Sequence, residues 1–481
     1  MAEINRKTVA SNLIWRLLER FGAQIVTFVV SIVLARILDP AIYGTIALIT
    51  VFTTILQVFV DGGFSSALIQ KKDSDDLDFS TVFYFNIFMC LVLYGVMFLF
   101  APLIAHFYNN EELTNLIRVL SLVIVISGVK SVQISYVSKN MIFKKFFWGT
   151  LGGTIIAAVV GIWMAYKGYG VWSLVVQNLI NQTMDTIILW IIVKWRPKKA
   201  FSFKRLKTLF SFGWKILLSG LLNTGYTELR SLIIGKRYSS EDLAYFNRGK
   251  QLPNLLITNI NSSIDSVLLP SMSNSQDNKM RVKIMTRRSI MVSSYIMIPM
   301  MIGLAVCSES LIHILLTDKW MPSAFFLKIF CFTFALYPIA TANLNAMKAL
   351  GRSDYFLRLE IIKKIIGITS ILITMWISVE AIAFSLLITS VLALIVNTWP
   401  NKKLLDYSIF EQIGDILPST ICAAVMGCVV YFIGYFGDLS FLCLLKQIVV
   451  GIFVYFTLSA VFRLKPFEYL KEFILSLNRK R

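Results

Sequence analysis

Apolar residues fall in recurrent runs of about 18 to 25 along this chain. That length suits membrane-crossing helices and is too long for barrel strands. Fourteen candidate spans can be drawn, at roughly 13–35, 43–63, 81–104, 115–136, 148–166, 171–193, 213–235, 253–273, 289–308, 323–345, 359–378, 380–398, 416–436 and 441–462. Breaks fall at Asp39-Pro40, at the turn Gly168-Tyr169-Gly170, at Pro197, at Pro400 and at Phe436-Gly437-Asp438. The least apolar run, 253–273, is kept as a span because an internal repeat supports it.

That repeat centres on residues 16–67. A gapless shift of 200 residues lays Ser31-Ile32-Val33-Leu34-Ala35-Arg36 on Ser231-Leu232-Ile233-Ile234-Gly235-Lys236, and Ala67-Leu68-Ile69 on Val267-Leu268-Leu269. The unit reads as two apolar helices joined by a short turn, written twice. The expectation is an all-α integral membrane protein. It has an N-lobe over 1–193 with six spans, a basic cytoplasmic linker over 194–212 and a C-lobe over 213–398 with six more. Two further spans cover 399–462, and an amphipathic basic tail covers 463–481, expected to lie on the inner membrane surface. An even number of helices per half makes the halves parallel repeats about an axis along the membrane normal, a pattern typical of transporters with a site between the halves.

Composition agrees: 57% of residues are hydrophobic, only 15% are charged, and the mean hydropathy is +0.71. A soluble chain of 481 residues would need more polar surface than this. No cleavable signal peptide is expected, because Arg16, Glu19 and Arg20 interrupt any apolar core near the start. The net charge of +20 sits in short loops, so it reads as membrane topology rather than nucleic-acid binding. With the N-terminus inside, about thirty Lys and Arg fall in inner loops against about seven in outer ones, so both termini are expected in the cytoplasm. The six cysteines form no CxxC and read as small core residues. There is no nucleotide-binding glycine loop, no zinc or serine-hydrolase motif and no soluble domain, so an enzyme is not expected.

Polar residues within the spans carry the functional signal, since a charged side chain at helix centre costs about 2.5–3.5 kcal/mol on insertion scales. In the first span Arg16, Arg20, Gln24, Thr27 and Ser31 share one helical face. In the seventh, Lys215, Ser219, Asn223, Tyr226 and Arg230 repeat that spacing, with Glu228 nearby. The second and eighth spans carry stripes ending in Asp61 and Asp265. Together they suggest a hydrated cationic cavity. Arg16, Arg20, Gln24, Lys215, Asn223, Tyr226 and Arg230 are its candidate substrate contacts, and Arg suits phosphate through paired hydrogen bonds. The competing reading makes Arg16, Arg20, Lys215 and Arg230 interfacial residues that snorkel, with Arg20, deeper and within reach of Glu19 or Asp61, favouring the cavity. Asp61, Glu228 and Asp265 are candidates for coupling to H+ or Na+; Asp61 and Asp265 serve equally well as helix-end carboxylates. Lys130 and Asp185 are open to both readings. No other cofactor and no metal is expected.

The same residues carry a resemblance. VLARILDPAIYGTIALI (33–49), VDGGFSSALIQKKD (60–73), FSFGWKILLSGLLN (210–223) and LRSLIIGKRYSSEDLAYFNRGKQLP (229–253) look like segments of bacterial polysaccharide exporters. They resemble Wzx-type lipid-linked oligosaccharide flippases of the MATE-like superfamily, nearest the WzxC/TuaB-like branch. Ala244 stands where that group commonly has Gly, and Glu228 where Asp is usual nearby. The resemblance implies two six-helix lobes around a cavity lined by the first, second, seventh and eighth helices. Its substrate would be an undecaprenyl-pyrophosphate oligosaccharide, moved by alternating access for O-antigen, capsule or exopolysaccharide synthesis, with the lipid tail in the bilayer. Implied partners are membrane lipids, a polysaccharide polymerase and assembly proteins. A lipid II flippase or a MATE-type drug exporter is the alternative; the cationic stripes argue against the second.

Overall fold

The computed structural model describes residues 6–61, 63–71, 73–140 and 143–478. The side chains of 6–21, 143–149, 212, 353 and 473–478 are outside that description. Among the described residues the regular structure is helical throughout. The packing divides the chain into two units, 1–244 and 245–481.

The first unit contains α1 (Arg6–Ile37), α2 (Pro40–Asp61), α3 (Phe64–Gln70), α4 (Asp76–Phe107), α5 (Glu112–Leu120), α6 (Leu122–Lys139), α7 (Phe143–Tyr166), α8 (Val171–Ile192) and α9 (Phe203–Arg237). Pro40 opens α2, where a helix has no use for the missing N–H. Asp75 caps α4 reciprocally with Asp78. Gly168 and Gly170 take positive φ and turn α7 into α8.

The basic linker folds onto this unit. The Lys198 and Ser202 amides donate to Ser80 Oγ (2.9 Å) and Thr81 Oγ1 (3.2 Å) on α4. Gln133 donates to the Trp195 carbonyl at 3.1 Å. Arg205 pairs with Asp75 at 2.5 Å and with buried Asp78 at 3.2 Å, while Lys71 holds Asp78 from the other side at 2.6 Å. Helix α9 then crosses the α2–α3 turn at Gly63 and Gly213. A Cβ on Gly63 would lie 2.7 Å from the Gly213 carbonyl oxygen, so the crossing needs glycine. These contacts place α9 with the first unit, whereas the sequence pattern opens the second half at residue 213.

Helix α10 (Ser240–Ser273) carries the chain into the second unit. That unit continues through α11 (Lys279–Val306), α12 (Ser308–Leu316), α13 (Ser323–Ala335), α14 (Tyr337–Ala349), α15 (Ser353–Thr374), α16 (Val379–Leu405), α17 (Ile409–Tyr435), α18 (Phe441–Val461) and α19 (Lys465–Asn478). Buried Asn343, Asn401 and Gln412 join α14, α16 and α17 through bonds of 2.6–3.1 Å. The tail helix packs on its own unit: Leu464, Phe467 and Leu470 join a core cluster with Tyr295 and Met426, and Arg288 lies 4.5 Å over the Tyr469 ring.

Each of the fourteen apolar runs coincides with a helix or a broken helix. The fourth run breaks at Ser121 between α5 and α6, and the tenth at Leu336 between α13 and α14. Among the described residues, eight helices or helix pairs are long and apolar enough to cross a membrane; Gly22–Ile37 and Thr150–Tyr166 are apolar but shorter. Helices α9 and α10 are not among the eight, since charged and amide residues interrupt them. Leu99, Ile191, Trp399 and Phe453 stand on the surface with at least 70% of their area exposed. An exterior of this kind is at home in hydrocarbon, so this is a multi-pass membrane protein.

Candidate functional site

Of the predicted residues, those on α9 are the most informative. Lys215 and Asn223 are exposed, and Tyr226 and Glu228 are half-buried. Arg230, two turns beyond Asn223, is 7% exposed. Its guanidinium stands 5.7 Å from the Tyr226 ring centre, and neither Nε nor Nη2 has a hydrogen-bond partner among the described residues. Arg230 therefore does not snorkel. A buried cation left without a partner costs several kcal/mol, which a bound anion would offset.

Elsewhere the picture is mixed. The side chains of Arg16 and Arg20 lie outside the described residues. Gln24 is half-buried on α1. Asp61, exposed at the end of α2, accepts from Gln57 at 3.1 Å. Asp265 accepts from buried Asn345 at 2.6 Å. Asp61 and Asp265 belong to different units, and each has a partner on its own unit.

Within the first unit the structure settles Lys130 and Asp185 in a way the sequence left open. Lys130 Nζ on α6 donates to Asp185 Oδ2 at 2.8 Å and to Gln182 Oε1 at 2.7 Å, both on α8. The ion pair is nearly dry, with side chains 12% and 13% exposed. Helix α8 reaches this position by lying close to α7. A Cβ on Gly153 would meet the Asp185 amide nitrogen at 2.9 Å, and one on Gly161 would meet the Gln177 side chain at 2.9 Å.

One turn up α8 from Asp185 opens a cavity of about 250 Å3 lined by α1, α2, α7 and α8. Its polar lining is Thr27, Tyr43, Thr154, Gln177, Asn178 and Asn181. Sequence reasoning missed this site. Its signal was the run Gln177, Asn178, Asn181, Gln182 and Asp185 on one face of the sixth span. The second unit holds a cavity of about 510 Å3 whose walls are almost wholly apolar, including Tyr295, Pro299, Met300, Met426, Ile452 and Phe456.

Comparison with known proteins adds the class. Residues 33–325 match the family described as "Polysaccharide biosynthesis protein", more than half of the chain. The chain belongs to that family. Among its relatives, the teichuronic acid biosynthesis protein TuaB of Bacillus subtilis (strain 168) is 23% identical over 387 residues, 79% of each chain. The succinoglycan biosynthesis transport protein ExoT of Rhizobium meliloti (strain 1021) is 25% identical over 320 residues, 66% of this chain and 64% of that one. The fold of this family member resembles the lipid II flippase MurJ in its inward closed conformation: TM-score 0.78 at 17% identity, covering 93% of this chain and 98% of that one. An inward-facing MATE multidrug transporter of the MOP superfamily aligns with a TM-score of 0.63 at 14% identity, covering 80% and 94%. The all-α, MATE-like architecture expected from the sequence is thereby established.

Proposed function

We propose that this chain is a flippase. It moves undecaprenyl-pyrophosphate-linked oligosaccharide repeat units across the bacterial cytoplasmic membrane by alternating access, for O-antigen, capsule or exopolysaccharide synthesis. Both termini face the cytoplasm, and no bond of the substrate is made or broken. Family membership supports a role in polysaccharide export. The observation that carries the substrate class is Arg230, buried with two guanidinium nitrogens free of partners.

Bare hydrocarbon would exclude a charged, hydroxylated headgroup, so a polar path through the protein is the whole catalytic device. The Arg230 guanidinium can meet two phosphate oxygens at once, which a lysine cannot do in the same geometry. Arg16, Arg20 and Lys215 supply further cations toward the cytoplasmic ends of their helices, and Gln24, Asn223 and Tyr226 supply neutral polar contacts. Asp61, Glu228 and Asp265 are the carboxylates available for coupling to H+ or Na+. A polysaccharide polymerase and its assembly proteins would receive the product.

Truncating a buried charge that meets a charged partner costs about 2–5 kcal/mol, roughly a 30- to 5,000-fold loss. Arg230→Ala should therefore abolish surface polysaccharide and leave lipid-linked repeat units accumulating in the inner leaflet. Arg230→Lys should recover only part of the export. Normal surface polysaccharide from a well-inserted Arg230→Ala protein would overturn the assignment.

A further inference from the structure

We infer that the amide-lined cavity of the first unit is a sugar subsite, taking one uncharged hydroxylated ring of the lipid-linked substrate. This rests on the flippase reading above and names a second contact for the same cargo, separate from the anion contact at Arg230.

The lining decides the chemistry. Thr27, Gln177, Asn178 and Asn181 face the cavity, and none of the four side chains has a hydrogen-bond partner among the described residues. Each amide offers two donors and an acceptor, and the hydroxyl offers both. Such groups within apolar helices are expensive unless something satisfies them. Thr154 spends its proton on the Thr150 carbonyl at 2.7 Å and presents only acceptor capacity. Val30, Ile46, Ala157 and Leu174 complete the wall, with Tyr43 as its one aromatic ring. Donors and acceptors mixed with C–H surface in one cavity match a pyranose, which has hydroxyls at its rim and C–H bonds on its faces.

Charge and size narrow the ligand further. Among the described side chains, no Asp, Glu, Lys or Arg lines the cavity. The nearest charges along α8 neutralise one another, because Lys130 sits 2.8 Å from Asp185. Among those side chains an anion or a free cation finds no counter-charge; a neutral ring needs none. Drug-sized ligands occupy about 300–1,000 Å3, so a volume of about 250 Å3 holds a single ring rather than a whole repeat unit.

The test uses the full-length protein in lipid nanodiscs and native mass spectrometry with two probes. One is undecaprenyl pyrophosphate; the other is the polyprenyl-pyrophosphate oligosaccharide extracted from the producing cells. The wild type should bind the glycosylated probe more tightly. Asn178→Leu and Asn181→Leu should each cut that preference roughly 3- to 10-fold, the worth of one or two hydrogen bonds, with binding of the bare pyrophosphate unchanged. Thr27→Val, a swap of near-equal shape, should give a smaller loss and serves if a leucine variant fails to fold. An unchanged preference in folded variants would mean that the cavity holds only water and would overturn the inference. Arg230→Ala reports separately, by weakening both probes equally. If it leaves both unchanged while the asparagine variants lose their preference, the headgroup reading falls and the sugar subsite stands.

Discussion

Two groups of amide side chains, one in each unit, are used differently. In the first unit, Gln177, Asn178 and Asn181 open onto a cavity and have no hydrogen-bond partner among the described residues. In the second, Asn343, Asn401 and Gln412 are turned on one another, 0–2% exposed and bonded at 2.6–3.1 Å. Beside the second unit's apolar cavity, two polar side chains bond to backbone carbonyls. The Tyr455 hydroxyl donates to the Tyr295 carbonyl at 2.8 Å, and Gln447 donates to the Val430 carbonyl at 3.2 Å. The contrast is between these two sites, since the first unit also closes amides on itself, Gln133 on the Trp195 carbonyl and Asn86 on Ser131. The difference lies in where hydrogen-bonding capacity is spent, more than in how many polar residues each contains. A closed network holds helices together; an open one waits for a ligand.

The sharpest way to break this contrast is at Lys130. It neutralises Asp185 beside the amide-lined cavity, so Lys130→Met strands Asp185 and should destabilise the protein by about 3–5 kcal/mol. Lys130→Met with Asp185→Leu should recover most of that loss, because replacing both partners of a buried pair is often nearly neutral. Thermal unfolding in detergent measures both. Equal stability of the single and double variants would show that the pair is solvated and that the cavity beside it is not charge-free.

Next in size is the closed network. Asn401→Leu should cost about 0.5–1.5 kcal/mol by removing one of the two amide donors to Asn343 Oδ1, and it should not alter the preference for glycosylated lipid. Asn178→Leu should do the reverse, changing preference with little effect on melting temperature. Matching effects from the two substitutions would erase the distinction between open and closed amides.

The smallest effect concerns helix spacing. A Cβ at Gly303, beside the apolar cavity, would meet only the tip of Met426 at 3.9 Å. Gly303→Ala should therefore stabilise by about 0.5–1 kcal/mol through helix propensity alone. Gly153→Ala should destabilise, since its Cβ would lie 2.9 Å from the Asp185 backbone nitrogen. A stabilised Gly153→Ala protein would mean that α7 and α8 have room to spare.

Much of this architecture is legible in the chain itself. Run length gives the helices, loop cations give an expected orientation, and the spacing of Lys215 to Arg230 marks one face of α9. What the pattern cannot carry is which face meets which neighbour. Arg230 lies near a span end, where snorkelling is the ordinary expectation, and only packing shows it buried. Lys130 and Asp185 are 55 residues apart, and their pairing depends on the packing of α6 against α8. The breaks at Ser121 and Leu336 leave apolar sequence on both sides, so hydropathy does not register them. The tail is amphipathic by sequence, which predicts a helix but not its partner. Phe467 and Leu470 settle on the protein core instead of facing only lipid.

The most direct test of the central claim is translocation itself. The protein, purified and reconstituted into liposomes, is given the polyprenyl-pyrophosphate oligosaccharide on one leaflet, and its appearance on the other is followed by lectin or enzymatic capture. The account predicts transfer well above protein-free liposomes, lost in Arg230→Ala and slowed in Asn178→Leu and Asn181→Leu. Transfer that Arg230→Ala leaves intact, or a wild type no faster than bare lipid, would contradict it.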